Sequence, residues 1–161
     1  MKIRVLSKDD ALIWKNLRLE GLQNAPSCFG SSYEEECTWS DAQFEDVLKN
    51  NDIFGAFLGH DLVSCVSFCR LKSVKTRHRG VVWGMYTQPE HRGKGIASRL
   101  LETVILHAKL HVRQLHLTCV TDNPSAIKLY EKHGFRIYGT EPCSLKIDDK
   151  FYNEHFLILE F

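Results

Sequence analysis

At 161 residues, with 43% apolar and 25% charged side chains, the chain has the size and balance of a single soluble domain with a proper core. A net charge of +1 argues against a nucleic-acid or membrane surface, and no apolar run approaches the roughly 20 residues of a membrane span. The opening MKIRVLSKDD turns polar and acidic too early for a secretion signal, so the six cysteines, which form no CxxC, are expected to be reduced, buried thiols in the cytoplasm.

Ile3 to Leu6 reads as a short strand. Ser7 suits the N-cap of a helix running to about Gln23, with Leu12, Ile13, Leu17 and Leu22, joined by Trp14, as its buried stripe. A loop follows from Asn24 to Thr38, broken by Pro26 and Gly30 and carrying the run Glu34-Glu35-Glu36. Ser40 and Gln43 form a capping box that opens a second helix, ending near Asn50. Strands are expected at Ile53–Leu58, Leu62–Leu71 and Val81–Tyr86, the first two joined by the turn Gly59-His60-Asp61. The basic link Ser73–Gly80 reads as a solvated turn. A glycine-entered helix to about Leu110 precedes a strand at Gln114–Val120. Asn123 then caps a helix with Pro124 at its first position and Gly134 just past its end. Strands from Phe135 to about Ile147 and Phe151–Leu159 close the chain. The order βααβββαβαββ predicts one mixed α/β domain over residues 1–161, a central sheet with helices on both faces.

Within that order, Gln88 to Leu101 (QPEHRGKGIASRLL) joins the apolar run Val81–Tyr86 to a helix whose Ile96, Leu100, Leu101, Val104, Ile105 and Ala108 recur at helical spacing. The first N–H groups of a helix lack intrahelical partners and present partial positive charge. Gly93 and Gly95 let backbone approach an anion closely, and Arg92 and Lys94 add full charges. The turn therefore suits phosphate. It is neither a dinucleotide fingerprint, since Ser98 stands where the third glycine would be, nor a P-loop.

Arg92-Gly93-Lys94-Gly95-Ile96-Ala97 resembles R-x-x-G-x-A, the acetyl-coenzyme A pyrophosphate motif of the GNAT (GCN5-related) N-acetyltransferases. Asn123 to Phe135 (NPSAIKLYEKHGF) resembles that family's second motif, N-x-x-A-x-x-x-Y-x-x-x-G-F. The two stand in the family's order with a strand between, and the resemblance covers nearly the whole chain. It implies a mixed, mostly antiparallel sheet in which the strands before the two motifs splay apart and receive the pantetheine arm. It further implies that acetyl-CoA is held by Met85, Tyr86 and Thr87, by Arg92, Gly93, Lys94, Gly95, Ile96 and Ala97, and by Asn123, Ala126 and Tyr130. Asn123, Ala126 and Tyr130 share one helix face, and a small Ala126 leaves room beneath the Tyr130 ring.

Acetyl transfer needs a neutral amine, although a primary amine has a pKa of about 10.4, and it needs a proton for the departing thiolate. Tyr130, with a phenol pKa near 10, occupies the position where the family carries its proton donor. Relatives with a glutamate on the strand before the glycine turn have no counterpart here, because Val81–Thr87 contains no carboxylate. Glu34 or Glu35 is the expected contact for a cationic amine acceptor, as base directly or through water, with direct loss of the proton to solvent as the alternative. The same residues also allow a catalytically silent CoA-binding module. His107 and His111 have a metal-compatible spacing but no third ligand, so no metal is expected, and Cys119 reads as an inert packed thiol. The expected partners are acetyl-CoA and an amine, with no nucleic acid or membrane and with a homodimer left open.

Overall fold

The computed structural model describes residues 1–161. Seven strands form one sheet: β1 (Lys2–Val5), β2 (Asp52–Leu58), β3 (Asp61–Arg70), β4 (Arg79–Thr87), β5 (Gln114–Val120), β6 (Arg136–Ile147) and β7 (Lys150–Glu160). Their spatial order is β1-β2-β3-β4-β5-β7-β6. Every neighbouring pair is antiparallel except β4 and β5, which are parallel. The helices are α1 (Ala11–Asn24), α2 (Tyr33–Glu36), α3 (Asp41–Asn50), α4 (Ile96–Lys109) and α5 (Pro124–Lys132). Helix α2 is a single turn inside what the sequence suggested was loop. Ser32 caps it, its hydroxyl accepting from the Glu35 N–H at 3.2 Å.

Two apolar cores lie on opposite faces of this sheet. On one face α4 buries Ile96, Leu100, Leu101, Val104 and Ala108 over Val66, Leu115 and Leu157, with Tyr130 of α5 joining them. On the other, α1 and α3 bury Trp14, Leu22, Phe44 and Leu48 over Ile53 and Phe57, with Trp14 and Phe44 meeting edge to face at 5.8 Å. The buried stripe of α1 differs from the expected one. Leu12 and Ile13 are exposed, and the inward positions are Ala11, Trp14, Leu17, Arg18, Gly21 and Leu22. That set follows the 3.6-residue period more closely, and it places a charged side chain in the middle of the apolar face.

The β4–β5 pairing positions the site. It covers only Arg79–Val81 against Gln114–His116. Beyond that the strands part, leaving backbone N–H and C=O groups on each without a strand neighbour. A bulge explains the parting. Cys65 of β3 pairs with Tyr86 and Ser67 with Trp83, so Gly84 and Met85 together face Val66, and Gly84 takes φ +63°. An extra residue of this kind bends a strand away from its neighbour, and glycine is the residue that accepts the positive φ.

The cysteines are only partly buried. Cys65 and Cys119 lie in the interior and Cys69 is half-buried, but Cys28, Cys37 and Cys143 are exposed. Those three sit on loops or on the outer strand, where local apolar neighbours in sequence do not translate into cover.

Candidate active site

The gap between β4 and β5 opens into a cleft of about 570 Å³, within the range of small-molecule sites. At one end lies the glycine turn. Gly93 (φ +73°) and Gly95 (φ +76°) are both left-handed, and a Cβ built at either would meet no atom within 4 Å. The positive φ values require glycine, and the open space in front of them leaves room for an anion against the N-terminus of the 14-residue α4. Arg92 is fixed by its Nε, which donates to the Thr87 carbonyl at 2.9 Å, and its guanidinium lies 5.6 Å from the Tyr86 ring centroid. Its terminal nitrogens make no hydrogen bond, and a guanidinium fork of this kind suits phosphate oxygens. His91 also lines the cleft there, with a buried Nδ1 that has no hydrogen-bond partner. These features fit a pyrophosphate.

Arg92, Gly93, Gly95, Ile96, Ala97, Met85 and Thr87 line the cleft as the motif suggested, whereas Lys94 is exposed and does not. Tyr86 lines it too, but its phenol is engaged elsewhere, donating to Glu20 Oε1 at 2.9 Å and accepting from Asn24 Nδ2 at 3.2 Å. The Tyr86 carbonyl accepts from the Ser64 hydroxyl at 2.8 Å. Tyr86 therefore anchors β4 to α1, and its carbonyl is turned toward β3 rather than into the gap.

At the other end stands α5. Asn123 Oδ1 accepts from the Ala126 N–H at 3.1 Å, so this side chain caps the helix, and its Nδ2 lies 3.4 Å from the Cys28 sulfur. Ala126 and Tyr130 face the cleft beside it. Tyr130 is 8% exposed, its ring packed edge to face on Phe135 at 5.9 Å, and its hydroxyl donates to the soft sulfur of Met85 at 3.7 Å. Burial raises its phenol well above the ordinary value, with the neighbouring Cys119 and Cys28 acting in the same direction. The group thus stays a protonated donor across neutral pH. Burial also pushes the Cys119 thiol up to about 12, which keeps it from serving as a nucleophile.

The acidic run behaves differently from expectation. Glu34 and Glu35 are exposed and line neither the cleft nor the groove that adjoins it. Glu36 turns inward instead, where Arg18 holds it through Nε at 2.9 Å and Nη2 at 2.6 Å. One helical turn cannot aim three consecutive side chains the same way, and only the carboxylate with a cation waiting can leave water. No carboxylate lines the cleft itself. Sequence reasoning passed over Arg18, Cys28 and Phe29, although a charged residue in phase with the stripe of α1 was a visible signal for the first. Of the helical histidines, His107 pairs with Asp52 at 2.9 Å.

Comparison with known proteins agrees with this geometry. The chain is 29% identical over 72 residues to a spermidine N(1)-acetyltransferase of Vibrio cholerae, covering 44% of this chain and 42% of that one. To an L-amino acid N-acetyltransferase of Escherichia coli it is 37% identical over 60 residues, 36% of this chain and 37% of that one. The chain thus spans well under two thirds of each of these relatives. In three dimensions it superposes on a GNAT-family acetyltransferase from Streptococcus pneumoniae with a TM-score of 0.86, 24% identity and 99% of each chain covered. A Salmonella typhimurium protein solved with its cofactor acetyl-CoA gives a TM-score of 0.82 at 18% identity, with 99% and 93% covered. Residues 19–135, which include the glycine turn, the splayed strands and the Asn123–Phe135 segment, match the acetyltransferase (GNAT) family as a whole, and the chain belongs to that family.

Proposed function

We propose that this chain is an acetyl-CoA-dependent N-acetyltransferase that moves an acetyl group onto a primary amine by direct attack, with Tyr130 as the proton donor. The observation that carries the reading is the convergence, on the stretch of β4 that has no β5 partner, of an open glycine turn at one end and a buried phenol at the other. Acetyl-CoA would supply the acyl group as a thioester. Arg92 and the backbone of Gly93 to Ala97 would hold its pyrophosphate, and the open edges of β4 and β5 would pair with its amide-bearing arm. The neutral amine nitrogen bonds to the thioester carbonyl carbon as the carbon–sulfur bond breaks. Tyr130 gives its proton to the leaving sulfur, and the proton lost by the new amide restores Tyr130 through solvent. Tyr130→Phe keeps the ring and removes that donor. It should lower kcat in a CoA-release assay by about 10²–10⁴ while acetyl-CoA affinity is retained. Equal turnover would reduce Tyr130 to a packing residue.

A second reading, a CoA-binding module without turnover, is favoured by one observation: the cleft lining contains no carboxylate to take the amine's proton. CoA release with any member of a panel of amines, amino acids and peptides separates the two readings.

A further inference from the structure

The acyl end of the cleft continues through the gap onto the opposite face of the sheet, into a second cavity of about 460 Å³. Cys28, Phe29, Trp83, Gly84 and Thr118 line both. Strand alternation explains its walls. On β5, Leu115, Leu117 and Cys119 face the core under α4, so His116 and Thr118 face the groove. On β7, Leu157 faces that core, so Glu154 and Phe156 face the groove. Tyr138 of β6 completes an aromatic floor, with its ring 5.9 Å from Phe156 and 6.0 Å from His116. The amino-terminal half of this sheet face is covered by α1 and α3, but no helix covers this half.

The charges on the groove are sorted by side. Arg18 and Arg79 lie on the α1–β4 side. Arg79 hydrogen-bonds His116, Nε to Nε2 at 3.1 Å, and makes no ion pair. Arg18 is 5% exposed and keeps its Nη1 unpartnered, 3.3 Å from where a Cβ on Gly84 would stand. On the opposite wall Glu154 is half-buried, with no basic side chain within ion-pair distance. It stands directly across from Glu141 on β6. Ser144 lies between them, its Oγ 2.6 Å from Glu154 and 3.2 Å from Glu141, and one hydroxyl proton can serve only one of the two. Two carboxylates facing each other across strands repel unless a cation joins them.

From this arrangement we infer that the groove is the acceptor site, and that it takes a monoamine with an aromatic body: the ammonium at Glu154, the ring on Trp83, Tyr138 and Phe156. This rests on the acetyltransferase reading and specifies its substrate. Glu154 pairs with Val120, next to Thr118 at the gap, so an amine held there lies beside the acyl end of the cleft. His116 is four residues back along β5, roughly 13 Å at about 3.3 Å per residue, so the Arg79 end lies a ring and a short chain away. A polyamine would carry a second ammonium into that end, against Arg79, which makes no ion pair, whereas the charge of Arg18 is already balanced by Glu36. The groove thus selects against spermidine-like acceptors while its negative wall still draws a single ammonium.

Isothermal titration of the full chain saturated with CoA, using 2-phenylethylamine and spermidine as probes, tests this. 2-Phenylethylamine should bind, and spermidine should bind at least tenfold more weakly. Glu154→Gln, which keeps an oxygen for Ser144, should weaken 2-phenylethylamine at least tenfold. Tyr138→Ala, at a position 51% exposed and so tolerant of truncation, should weaken it severalfold. Both variants should keep the rise in melting temperature with acetyl-CoA. No binding of 2-phenylethylamine, equal binding of spermidine, or wild-type affinity in both variants would overturn the assignment. Absence of any acetyl-CoA effect on the wild-type melting curve would instead count against the acetyltransferase reading itself.

Discussion

Arg18 and Glu36 have side chains only 5% and 4% exposed, and they form a two-pronged ion pair between α1 and α2 beneath Phe29 and Trp83. Taking either charge out of water alone is prohibitive, so each residue is tolerable only because the other is there. The pair holds α2 and the loop before it, which carries Cys28 and Phe29, against the gap between β4 and β5. Glu36→Gln would leave a buried guanidinium without its counter-charge and should cost about 3–5 kcal/mol in urea unfolding. Replacing both, as Arg18→Met with Glu36→Leu, should recover most of that loss, since a matched apolar pair carries no such penalty. If the single and double variants are equally destabilised, packing rather than charge governs this spot. The sequence displayed Arg18 in phase with an apolar stripe, but nothing local says which of three consecutive glutamates will turn to meet it.

The junction of β1 with α1 makes an element-scale prediction. Arg4 of β1 clamps Asp10 at 2.6 and 2.7 Å, and Asp10 also accepts from the Ser7 N–H at 2.8 Å, closing the capping box at the start of the helix. The Arg4 hydrogen bonds are the main reason its carboxyl is held down at about 2, against 3.8 ordinarily. The fold therefore favours the ionised form. That stabilisation is complete above the ordinary value and disappears as pH falls from about 4 toward 2. Melting temperature against pH should drop through this window in the wild type and drop less in Asp10→Asn, whose curve should start lower at neutral pH. Parallel curves would show that other carboxylates govern acid unfolding. The cap at Ser7 and the strand before it were both legible beforehand, because each is a matter of neighbouring residues, although the return bond from Asp10 was not. The bulge in β4 was not. Gly84 reads as one more small residue in an apolar run until the register of β3 is known.

For the molecule as a whole, a ligand that bridges the glycine turn and the β4–β5 gap should stabilise the native state by mass action, by about 2.7 kcal/mol at a hundredfold excess over Kd. Acetyl-CoA should therefore raise the melting temperature. Gly95→Asp, which forces a side chain onto a φ of +76° and a negative charge toward the pyrophosphate, should abolish the rise. An undiminished rise in folded Gly95→Asp would move the site away from the turn. The family and, apart from the single turn of α2, the order of elements were legible in the sequence, because each depends on contiguous residues: a capped helix start, a glycine turn, a tyrosine seven residues beyond a helix cap. The groove beyond the gap was decided only by tertiary structure. Phe29, Trp83, Thr118, Tyr138 and Glu154 come from five separate segments, and they meet because β7 inserts between β5 and β6 while β4 bends away at its bulge. Strand pairing brings residues together without regard to their distance along the chain, and so the groove left no local pattern to read.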